Sequence, residues 1–149
     1  MTSADACLKI HDVATAELGV HETPGPVATA RIVLYATHTT LKATSDEIAW
    51  CSSFANYCCD IACFPGEHSA AARSWLNYGV KLDAPILGCI VVFDRHDANN
   101  PNAAHVAICD HPDISNGMIR VVGGNQGKEG AVTISRDPIT KVLGYRAPF

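Results

Sequence analysis

The sequence predicts an α+β domain, with helices first and an antiparallel β-sheet after them. Helix-compatible apolar spacing runs to about residue 78, and beyond it come short β-rich runs separated by Gly, Pro, Asn and Asp. No internal repeat, low-complexity tract or linker divides the 149 residues. A chain of this length forms one domain that buries roughly two-thirds of its unfolded surface, so residues 1–149 are read as a single unit.

Residues 5–18 suit an amphipathic helix carrying Cys7, Leu8, Val13, Ala14 and Leu18, with Gly19 as its stop. His21-Glu22-Thr23-Pro24-Gly25-Pro26 is a loop by composition, and Arg31 to His38 form a second short helix. Thr39 to Glu47 is polar and leads into a helix over roughly 50–62, which Ser45 or Asp46 could cap and Phe64-Pro65-Gly66 ends. A further helix is expected over 69–78, closed by Gly79. Strands are expected near 89–94, 104–110, 118–123, 130–135 and 141–146.

Net charge is −4, with no cluster of Lys and Arg, which argues against nucleic-acid binding through a basic face. The N-terminus lacks the apolar segment of a signal peptide, and no run is long enough to span a membrane. Cytoplasmic synthesis is therefore expected, and the seven cysteines are read as free thiols rather than a disulfide framework.

Chemistry concentrates at Cys51, where an acidic stretch meets the start of the third helix. The positive end of a helix dipole and its unpaired N–H groups favour the thiolate. Cys7, Cys58, Cys59, Cys63, Cys89 and Cys109 fit core positions. A zinc site from Cys58, Cys59, Cys63 and His68 lacks the paired Cys-x-x-Cys hooks of structural zinc. Among the histidines, His105 alone lies in an otherwise apolar strand; His11, His21, His38, His68, His96 and His111 read as solvated. His105 is the candidate base, and Asn125 the candidate group orienting its ring, with Gln126 the nearest substitute. Cysteine, histidine, then a polar orienting residue is the chain order of papain-like thiol hydrolases. Glu17, Glu22, Asp46 and Glu47 read as surface or capping groups rather than a glycosidase pair.

These residues carry a family resemblance. Glu22-x-Pro24-Gly25-Pro26, Ile32 and Tyr35, Asp46 to Phe54, and Ala72-Arg73-Ser74-Trp75-Leu76 resemble a phage-associated family of cysteine hydrolases. So do Pro85-x-x-Gly88-x-Ile90-Val91-Val92-Phe93, His105-Val106-Ala107, Gly123-Gly124-Asn125-Gln126 and Leu143-Gly144-Tyr145-Arg146. That family is related to the CHAP and NlpC-type peptidoglycan hydrolases, and the resemblance covers the chain from about residue 10 onward.

The resemblance implies a papain-like fold and cleavage of an amide in bacterial peptidoglycan, either the N-acetylmuramoyl–L-alanine bond or a peptide bond. Carried over by position, the nucleophile is Cys51, the base His105 and the third member Asn125; Tyr35, Trp50, Ser52 and Gln126 are candidates for oxyanion or substrate contacts. Many CHAP domains have a glutamate two residues before that asparagine, where this chain has Gly123. The acidic calcium loop of some members is also missing, so no metal and no cofactor are expected. A chain with no wall-binding module resembles the compact endolysins of phages infecting Gram-negative hosts. Such a monomer would wait in the host cytoplasm and act on the periplasmic wall after release, without membrane insertion. Two rival readings are a secreted antibacterial effector with an immunity partner, using the same chemistry in another setting, and a non-catalytic wall-binding or tail-structural domain that kept the fold.

Overall fold

The structure, a computed structural model, describes residues 1–23, 29–40 and 50–149. The expected caps Ser45 and Asp46, and the Pro-Gly-Pro segment, lie outside the described residues. Helix α1 spans Ser3–Ala16, α2 Ala30–Ala36 and α3 Cys51–Ile61; the strands are β1 Val80–Leu82, β2 Ile90–Asp94, β3 Ala104–Ser115, β4 Met118–Gln126, β5 Ala131–Pro138 and β6 Val142–Ala147. The order of helices, then an antiparallel sheet, is the one the sequence predicts.

Helix α1 begins two residues earlier than expected because Thr2 and Asp5 form a capping box. The Thr2 hydroxyl accepts from the Asp5 N–H at 3.2 Å, and the Asp5 carboxylate accepts from the Thr2 N–H at 2.8 Å. Its buried stripe is Ala6, Cys7, Ile10 and Ala14, while Leu8 and Leu18 face solvent. The helix expected over 69–78 is instead a 3₁₀ turn, Ala72–Asn77. Trp75 anchors that turn, its ring buried and its indole N–H donating to Ser52 Oγ at 2.8 Å. Cys63 departs from its core assignment: it is exposed, with φ +69, just beyond the end of α3.

The six strands pair in the order β1-β6-β2-β3-β4-β5, antiparallel at every contact. Strands β3 and β4 run longer than expected, joined by Asn116-Gly117, both at positive φ as a two-residue hairpin turn requires. β1 is a three-residue edge strand too short to read from alternation.

Apolar side chains line both faces of the central strands. On one face Val92, Val106, Ile108 and Val122 pack with Ile10, Ile32, Phe54 and Cys58 of the helices. On the other, Val91, Phe93, Ala107, Cys109, Ile119 and Val121 enclose Cys7 and Cys89. Helix α3 packs on β3 and β4, and this contact brings its first residue over the start of β3.

Candidate active site

Cys51 is the first residue of α3 and is 8 % exposed. Trp50 occupies the N-cap position and offers no side-chain cap, so the first-turn N–H groups keep their partial positive charge. The Trp50 indole N–H donates to Glu22 Oε1 at 2.8 Å, and its ring lies 5.9 Å from that of Tyr35. These contacts fix the entry into α3.

His105, the second residue of β3, reaches the Cys51 thiol with its imidazole. Strand β2 supplies its floor: Phe93, directly opposite in the ladder, stacks on the ring at 6.2 Å between centroids. Burial opposes a charged Cys51, but the hydrogen bond and charge of His105, a backbone hydrogen bond from Val106 and the Arg95 cation outweigh it. The thiol therefore sits below its ordinary value. Burial likewise works against a charged His105, but Cys51, Gln126 and the Asp137 charge raise it above its ordinary value. Opposite shifts in two neighbours favour thiolate and imidazolium together, the reactive form of a thiol nucleophile.

The amide on the histidine belongs to Gln126, not to Asn125. Gln126 Oε1 lies 2.9 Å from His105 Nε2, and Gln126 Nε2 donates to the Thr133 carbonyl at 2.8 Å and to Thr133 Oγ1 at 3.1 Å. A carbonyl only accepts, so the amide must present its oxygen to the ring, and His105 Nε2 must carry a proton. That leaves Nδ1 for the thiol. Asn125 sits one residue away at φ +58, in a stretch where the β4–β5 register shifts between Gly123 and Gln126.

Gly123 is shaped by the same amide. A Cβ there would meet Gln126 Oε1 at 2.6 Å and Ala107 Cβ at 3.0 Å. The space a carboxylate side chain at position 123 would need is occupied by Gln126.

Two expected oxyanion donors point elsewhere. The buried Tyr35 hydroxyl donates to Glu17 Oε2 at 3.0 Å. Ser52 donates to the Ser69 carbonyl at 2.6 Å and accepts from Trp75. Trp50 is committed to Glu22, so the first-turn N–H groups of α3 are the donors this site offers a developing oxyanion. Other histidines read as solvated are held by carboxylates: His11 on Asp110 at 2.7 Å, and His38 and His68 on Asp60 at 2.7 and 3.0 Å. No cluster of three His, Cys, Asp or Glu suited to a metal occurs among the described residues.

Beside His105 a cleft of about 290 Å³ is lined by Phe93, Asp94, Arg95, Asp137 and Lys141. Thr133, Ser135 and Asp137 alternate along β5 on the side facing Gln126. That polar alternation, Thr-x-Ser-x-Asp, was the available sequence signal for residues the sequence reading did not select.

The CHAP domain family model matches residues 43–125, more than half of the chain and a span that includes Cys51 and His105 but stops one residue short of Gln126. No curated protein and no solved structure matches the chain. CHAP domains are typically cysteine- and histidine-dependent hydrolases of peptidoglycan. With its helices set on an antiparallel sheet and a helix-initial cysteine meeting a strand histidine, this chain belongs to the CHAP domain family.

Proposed function

We propose that the protein hydrolyses an amide bond of bacterial peptidoglycan, as an N-acetylmuramoyl–L-alanine amidase or a peptidoglycan endopeptidase, in an endolysin-like role. The observation carrying this reading is the hydrogen-bonded Cys51–His105 pair at the start of α3, and the directions in which the two groups shift agree with an ion pair. The Cys51 thiolate attacks the amide carbon, and the oxyanion forms against the first-turn N–H groups. Imidazolium Nδ1 of His105 gives its proton to the departing amine, leaving a thioester. Neutral His105 then takes a proton from water, whose oxygen attacks the thioester and releases the acid. Gln126 keeps the ring in the tautomer that both steps need.

The test is digestion of purified sacculi by wild type and Cys51→Ala, with the products read by mass spectrometry. Wild type should create new amine and carboxyl ends, whose position identifies the bond, and Cys51→Ala should create none. No new ends with wild type, or equal release by both, overturns the reading. The rate should rise with pH through the depressed Cys51 value and fall through the raised His105 value.

A further inference from the structure

Gln126 can orient His105 but, being neutral, cannot stabilise its positive charge as a carboxylate would. The hydrogen bonds beyond Gln126 lead to one. Ser135 Oγ lies 2.8 Å from Asp137 Oδ2 and 3.3 Å from Gln126 Oε1. A hydroxyl has one proton to give. At these distances it goes to Asp137, and Gln126 Oε1 is left with the His105 N–H as its short contact. Asp137 also lines the same cleft wall as His105.

We propose that Asp137 is a positioning residue for the cysteine–histidine pair: it draws the Ser135 proton away from Gln126 and supplies negative charge to the cleft that His105 lines. The inference rests on the hydrolase reading of that pair. Every element around the ring contributes to the balance. Cys51 comes from α3 and Gln126 from β4, Asp94 ends β2, Arg95 follows it, Asp137 lies on β5, and Lys141 ends the 3₁₀ turn before β6. Asp94 is engaged with Arg73 at 3.9 Å and with the His96 N–H at 2.8 Å. Arg95 and Lys141 have no ion-pair partner among the described residues, and both disfavour an imidazolium. Without Asp137 the cleft wall would carry two cations against the single, already engaged Asp94. The raised His105 value, with the Asp137 charge among its causes, agrees with this balance.

The test follows His105 itself. Its imidazole is titrated by ¹⁵N-resolved NMR in wild type, Asp137→Asn, Asp137→Glu and Lys141→Gln, and kcat/KM is measured against pH for each. Asp137→Asn should lower the His105 midpoint and the alkaline limb together, by roughly half a pH unit. Asp137→Glu should restore both, and Lys141→Gln should move both the opposite way. A midpoint unchanged in Asp137→Asn, or lowered equally in Asp137→Glu, overturns the proposal, because a purely structural residue would lower activity without moving the titration. If Asp137→Asn fails to fold, Asp137→Ser makes the same charge change with a smaller side chain and is read the same way. Wild type that creates no new ends in peptidoglycan sinks the hydrolase reading, and the NMR titration still decides the part of Asp137.

Discussion

A side-chain amide that touches a histidine N–H does two things at once. It selects the tautomer and it restrains the ring. Here Gln126 is itself restrained, its NH₂ held by both oxygens of Thr133. Gln126→Ala should therefore lower kcat by about 100-fold, the scale of losing well-placed acid–base catalysis, with little change in KM. Asn125→Gly provides the contrast. Glycine tolerates the φ of +58 at that position, so the substitution removes only a side chain that does not reach His105. Its kcat should stay near wild type in steady-state assays on solubilised peptidoglycan. Equal losses in the two variants would restore Asn125 to the role its place in the sequence suggested.

Helix α3 matters less as a scaffold than as a way of aiming its first residue. Its start is wedged between the Trp50 contacts and strand β4, where Gly124 permits the close approach. A Cβ at 124 would lie 2.6 Å from Trp50 Cζ3 and 2.7 Å from Phe54 Cβ. Gly124→Ala should cost about 2 kcal/mol through overpacking. Displacing the helix start by about 1 Å should lower kcat by about 100-fold, since reactive geometry is lost before the fold is. Thermal melting and kinetics on the same preparation check this: activity should fall far more than the melting temperature implies. A variant fully active at a lowered melting temperature would show that α3 tolerates the shift.

Across the whole molecule, three carboxylates tie helices to other helices, to loops or to the sheet. Glu17 accepts from Arg31 and Tyr35 of α2 and from Tyr57 of α3. Asp60 holds His38 and His68, while Asp110 joins His11 of α1 to Arg120 of β4. Burial alone would raise all three, but their hydrogen bonds and ion pairs outweigh it and hold each below the usual carboxylate range. A depressed folded value gives stability that is present above the ordinary carboxylate pKa and lost as pH falls through the folded one. The melting temperature should be flat near neutrality and drop below about pH 4. Glu17→Gln should lower stability at neutral pH by about 2 kcal/mol, the scale of weakened hydrogen bonds to a buried charge, and shallow the acid decline. A decline of unchanged depth in that variant would mean that Glu17 takes no part in it.

Local pattern determined much of this protein from sequence alone. Apolar periodicity placed four helices before a sheet, three of which form while the fourth is a 3₁₀ turn, and the junction before Cys51 and the apolar setting of His105 singled out both members of the pair. Such features depend on a few consecutive residues, and consecutive residues are what a sequence displays. Tertiary structure decided which neighbouring amide serves the histidine. The register shift between Gly123 and Gln126, with Asn125 in a left-handed conformation, turns the outer residue toward His105 and the inner one away. It also decided that the Tyr35 and Ser52 hydroxyls are taken by Glu17 and the Ser69 carbonyl, and that Ser135 bridges Gln126 and Asp137. Each of those outcomes depends on where a strand kinks or on a partner from a distant element, and the spacing of residue types along the chain carries neither.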